Sequence, residues 1–170
     1  MGRKAGNRMT KDTIPEGFSV PMALVDLVPV VFFGLSAVRL GSLFHSTLFV
    51  AGAVICLLSG VVKVGWKLIA AVSRKNVWPM FVQMRILMPV GLLALLAALA
   101  VDHDGLNGKA MLAGLTGFPA CLFFLAGALG MVLMTVFAFR MDSSDPKVNW
   151  TEQIVNGLAQ LCFFIGLLLV

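Results

Sequence analysis

The sequence predicts an all-α integral membrane protein of about five transmembrane helices: two helical hairpins plus a C-terminal helix, N-terminus inside and C-terminus outside. Three observations lead there. Hydrophobic residues fill 59% of the 170 positions and charged residues 12%, with a mean hydropathy of +0.97, and so short a chain cannot enclose that much apolar surface in one soluble core. The charges cluster between long apolar runs instead of recurring at helical spacing along one wettable face. Lys and Arg collect in alternate connections, the pattern that insertion leaves on cytoplasmic flanks.

Taken in order, residues 1–17 form a basic cytoplasmic tail carrying Arg3, Lys4, Arg8 and Lys11, and residues 18–170 form a single polytopic domain. A helix needs about 20 apolar residues to cross about 30 Å of hydrocarbon. The first such stretch, about 18–39, is interrupted by Asp26; that charge and Pro29 inside the apolar run distinguish it from a cleaved signal peptide. The short link RLGSLFH then makes the second helix, about 41–70, an antiparallel neighbour of the first. That second helix is free of charge as far as Val62 and continues amphipathically through Lys63, Trp66 and Lys67.

A third helix, about 79–101, carries Arg85 near its start. The string DHDGLNGK, with Gly105, Asn107 and Gly108 as turn residues, joins it in a second hairpin to a long uncharged helix at about 110–139. The fifth helix, about 147–170, follows Asp145 and Pro146, a cap and first-turn pair. Gly52, Cys56 and Gly60, and Ala126 with Gly130, are small residues at four-residue spacing and predict close helix crossings. Pro29, Pro89 and Pro119 fall within three different spans, where kinks are expected.

On this topology the inner side holds the tail, Lys63, Lys67, Arg74, Lys75, Arg85, Arg140 and Lys147, together with Trp66, Trp78 and Trp150. Only Arg39 and Lys109 fall outside. The expected location is therefore the plasma membrane, or the inner membrane of a bacterium, with membrane lipids, anionic ones included, as partners.

Polar groups at membrane depth are the informative residues, because a charge at a helix centre costs about 2.5 to 3.5 kcal/mol on insertion scales. Asp26 sits roughly 12 Å into the first helix and is too short to reach water easily. Arg85 or Lys63 is the expected partner. Asn149, Gln153, Asn156 and Gln160 recur at intervals of four, three and four on one face of the fifth helix, while Lys63 and Lys67 share a face of the second and Gln83 precedes Arg85. The candidate ligand-binding set is therefore Asp26, Lys63, Lys67, Gln83, Arg85, Gln153, Asn156 and Gln160. It describes a polar vestibule open to the inside and closed by an apolar outer half. Lys63, Lys67, Arg85 and Arg140 outnumber Asp26 and Glu152, so an anion or a phosphate-bearing lipid head is the expected occupant.

Other chemistries find no support in the sequence. Cys56, Cys121 and Cys162 lie in separate apolar spans without a CxxC pair, and with His45 and His103 as the only histidines no multi-histidine metal or haem site can form. DHDGLNG lacks the third acidic position and distal Glu of a calcium loop. No cofactor, metal or catalytic constellation is expected, nor is nucleic acid, since no basic stripe is interleaved with aromatics on a soluble domain. Two functions fit: transport or binding of an anionic small molecule or lipid headgroup, and a noncatalytic structural or accessory subunit that meets a partner membrane subunit or a second copy of itself.

Overall fold

Ser19 and Ser46 start the first two helices. Each lies in extended backbone, and its hydroxyl accepts from an amide three residues on, Met22 N at 3.4 Å and Phe49 N at 3.1 Å, satisfying donors that a helix start leaves free. In the computed structural model, which describes residues 18–102, 108–141 and 146–170, they open α1 (Val20–Leu43) and α2 (Thr47–Ser73). α2 stops where Arg74 takes a left-handed conformation, φ 51°. After it come α3 (Trp78–Val82), α4 (Met84–Val101), α5 (Gly108–Thr116), α6 (Ala120–Arg140) and α7 (Pro146–Leu168). The described residues contain no strand.

The single helix expected at 110–139 is divided into α5 and α6 at Gly117–Phe118–Pro119. Pro119 has no amide to donate and disfavours helical backbone at Phe118. α6 restarts at once, with Cys121 N donating to the Gly117 carbonyl at 2.9 Å. α3 and α4 are separated only by Gln83, whose own dihedrals are helical, and together they make one apolar span, Trp78–Val101. The tail, residues 1–17, the turn residues His103 to Asn107, and residues 142–145, including the expected cap Asp145, lie outside the described residues.

The helices form a row in the order α4, α2, α1, α7, α6, each packed on the next. The first hairpin is present as expected. The second is not, since α4 and α6 are not a packed pair. α5 intervenes and packs on α6, while the face of α4 that can approach another helix closely is the one matched to α2. There Gly52 and Gly91 bring two backbones together: a Cβ on Gly52 would lie 2.9 Å from the Gly91 carbonyl oxygen, and one on Gly91 would run into the Cys56 sulfur. Gly60 instead receives Val30 of α1, and Gly130 of α6 receives Ala159 of α7. Ala126 is exposed.

Each end of the row has its own aromatic cluster. Phe18 and Trp66 meet edge to face at 5.5 Å, with Met22, Ala70, Val77, Met80, Phe81 and Trp150 around them, and at the other end Phe44 and Phe49 meet in the same way beside Ala98. Successive spans therefore run in alternating directions, and all three tryptophans are at the first end, where Trp78 stacks on Phe81. Large apolar side chains such as Leu35, Leu58, Leu93, Leu96, Leu125 and Val132 point outward. Five helices are long and apolar enough to cross a membrane, which indicates a multi-pass membrane protein.

Candidate functional site

Beneath the Phe18–Trp66 cluster, three helices converge on one ammonium group. Lys67 of α2 has its Nζ 3.0 Å from Asp26 Oδ2 of α1, and both side chains are buried. On α7, Asn149 and Gln153 are one turn apart and both buried, so their amides face the same point. The Asn149 amide oxygen lies 3.3 Å from Lys67 Nζ. In the alternative arrangement, with both amides turned, Gln153 accepts from Lys67 Nζ at 2.8 Å and donates to the Met22 carbonyl at 2.8 Å, and Asn149, 2.7 Å away, donates to Gln153 in place of accepting from Lys67. In either amide arrangement the buried ammonium thus faces the Asp26 carboxylate and an amide oxygen of α7, partners that offset the cost of holding a charge away from water.

Lys63, one turn earlier on α2, lies 4.0 Å from the same Asp26 oxygen and keeps a third of its side chain exposed. Glu152 of α7, half-buried, lies within electrostatic reach of Lys63, Lys67 and Asp26, and its Oε1 has no hydrogen-bond partner. The cluster therefore contains two cations and two carboxylates and is formally neutral.

The eight expected residues divide into three groups. Asp26, Lys63, Lys67 and Gln153 come together. Gln83 is on the far side of α2, where its Nε2 donates to the Ser59 carbonyl at 3.1 Å and pins the α3–α4 junction to α2. Arg85 is exposed, with its guanidinium 5.2 Å from the Phe81 ring centre, and does not meet Asp26: α4 packs on α2, not on α1. The partner of Asp26 is thus Lys67, which the sequence did not single out for that role; of the two expected partners Lys63 is the more distant neighbour at 4.0 Å and Arg85 is not one. Asn156 is half-buried and not among the groups on Lys67, and Gln160 turns toward Met131 of α6 at 3.9 Å. The stripe on α7 serves two neighbours because α7 lies between α1 and α6 in the row.

No known family model, curated protein or solved structure matches this chain. The chemistry is accordingly read from the cluster alone. Arg140, exposed at the end of α6, adds nothing to it, so the expected cationic excess is reduced to balance. The inward mouth expected beside Lys67 is filled by Phe18, whose ring centre is 5.7 Å from Nζ, and by Met22 and Trp66, each 1% exposed. Asn149 belongs to the stripe read from the sequence; the Met22 carbonyl, a backbone group, has no signature there. Among the described residues no three His, Cys, Asp or Glu side chains are grouped for a metal. The arrangement can hold three helices in one register; Lys63 and Glu152 are the charges it leaves at its edge.

Proposed function

We propose that this chain is a noncatalytic, multi-pass subunit of a membrane assembly, in the plasma membrane with its N-terminus inside, and that the Asp26–Lys67 cluster is the lock that sets its helices. The observation that carries this reading is the enclosure of Lys67: the buried cation lies against the Asp26 carboxylate and an amide oxygen of α7, under an aromatic cap. Intramembrane ionisable groups pair in this way when they fix one helix arrangement against others. The row supports it too, since its two outermost spans, α3–α4 and α6, are the least buried and, among the described residues, each have only one packed long neighbour.

The test is the state of the protein in mild detergent. Two differently tagged copies, or this chain with a second, should co-purify at fixed stoichiometry; a monodisperse monomer at all concentrations overturns the reading.

A second reading, binding of an anionic small molecule or lipid headgroup, is favoured by one observation. Lys63 is a partly exposed cation that Asp26 holds only at 4.0 Å. It predicts that candidate anions raise the thermal midpoint and that Lys63→Ala removes the effect; equal midpoints with and without anion count against it.

A further inference from the structure

At the other end of the row, α1, α2 and α4 enclose a groove of about 380 Å³, walled by Phe33, Ala37, Phe49, Ala53, Leu92 and Leu96. That volume falls within the range of about 300 to 1,000 Å³ typical of small-ligand sites. It follows α1 from Leu40 back to Phe33, a length of roughly 10 Å along the helix. Ser36 is in its wall, 7% exposed, and the hydroxyl has no hydrogen-bond partner. Arg39, three residues on along the same side of α1, has a buried Nε without a partner and is in neither of the ion pairs among the described residues. Asp102, the nearby carboxylate at the end of α4, is engaged by the Ser46 hydroxyl.

An apolar slot with an unsatisfied Ser36 hydroxyl in its wall and an unsatisfied Arg39 Nε one turn beyond it has the complement of one molecule type. We propose that the groove binds one acyl chain of a phosphodiester lipid, with the phosphate on Arg39 and an ester carbonyl accepting from Ser36. Hydrocarbon fills the slot, the ester and phosphate supply the missing acceptors, and guanidinium matches phosphate in charge and shape. A second copy of the chain could fill the slot with an apolar helix, but such a face brings no acceptor. The proposal rests on the membrane reading above and is independent of the subunit reading.

The experiment uses the full chain in mild detergent, with thermal unfolding and mass spectrometry of retained lipid as readouts. Phosphatidylglycerol, diacylglycerol with the same chains, and inorganic phosphate are compared. Phosphatidylglycerol should stay bound and raise the midpoint, and the other two should fall short by about tenfold in apparent affinity, as should phosphatidylglycerol on Arg39→Gln. Ala37→Phe, which narrows the slot, should abolish retention. If that variant does not fold, Arg39→Gln and Ser36→Ala carry the test. Equal stabilisation by diacylglycerol, no loss in Arg39→Gln, or cross-linking between copies through a cysteine at Leu96 overturns the proposal. Recovery of the chain without detergent in the aqueous fraction overturns the membrane reading beneath it.

Discussion

Lys67 Nζ is 3.0 Å from Asp26 Oδ2 with both side chains buried, whereas Lys63, one helical turn earlier, is 4.0 Å from the same oxygen and a third exposed. One carboxylate thus has an inner and an outer cation. Asp26→Asn keeps the shape but leaves Lys67 charged and buried without its counterion, and should lower stability by about 3–5 kcal/mol. Lys63→Met, at the screened position, should cost no more than about 1 kcal/mol. The double replacement Asp26→Leu with Lys67→Met should recover most of the single-variant loss, because an apolar pair removes the uncompensated charge. Unfolding in mild detergent checks all three, and equal losses for Lys63→Met and Asp26→Asn would contradict the ranking.

The α2–α4 crossing makes a second prediction. A methyl on Gly91 meets the Cys56 sulfur, a side chain that can be trimmed, and also the Gly52 carbonyl oxygen at 2.9 Å, whereas one on Gly52 meets the Gly91 carbonyl oxygen at 2.9 Å and no part of Cys56 among its nearest atoms. Gly91→Ala and Gly52→Ala should each cost about 1–3 kcal/mol. Adding Cys56→Ala should relieve part of the loss in Gly91→Ala, since the backbone contact with the Gly52 carbonyl remains, and leave Gly52→Ala unrelieved. A double-mutant cycle measures the difference.

Much of this was legible in the sequence because apolar run length is nearly sufficient to place helices that meet lipid; the caps Ser19 and Ser46 were not read from it. Pro119 was legible as a kink, but not that it would divide α5 from α6. Helix neighbours were less legible. A short link such as RLGSLFH forces adjacency; the link after α4 does not, and the Gly52–Gly91 contact selects α2 instead. The site was half legible for the same reason. Asp26 and the α7 stripe advertise a polar contact, but whether Lys63, Lys67 or Arg85 reaches Asp26 depends on which helix lies beside α1 and at what crossing, and periodicity along one helix carries neither.

Ser46 joins the helix cap to the α4 end. Its hydroxyl accepts from Phe49 N and donates to Asp102, so Ser46→Ala removes a cap worth about 1 kcal/mol and also frees a carboxylate oxygen. Asp102→Asn retains the cap and loses only the charge on the second bond. The expected order of thermal midpoints is wild type, then Asp102→Asn, then Ser46→Ala. Hydrogen exchange at Phe49 N should quicken in Ser46→Ala alone; quickening in both would mean that the α4 contact, not the cap, holds the start of α2.

The two ends of the row should face opposite sides of the membrane, with the Trp66 end inside. Both predictions come from charge: Lys63, Arg74, Lys75 and Lys147 belong to the Trp66 end, and Arg39 to the Phe44 end. In a background with Cys56, Cys121 and Cys162 replaced, single cysteines at Lys75 and His45, both exposed, report the sides independently. A membrane-impermeant thiol reagent added to intact cells should label the cysteine at His45 and spare the one at Lys75 until the membrane is opened. The reverse pattern would keep the helix row and invert the orientation, moving the Arg39 groove to the inner leaflet and the Lys63–Glu152 edge to the outer one. Labelling at both positions in intact cells would mean that the Trp66 and Phe44 ends are not separated by a bilayer, and would count against the five spans themselves.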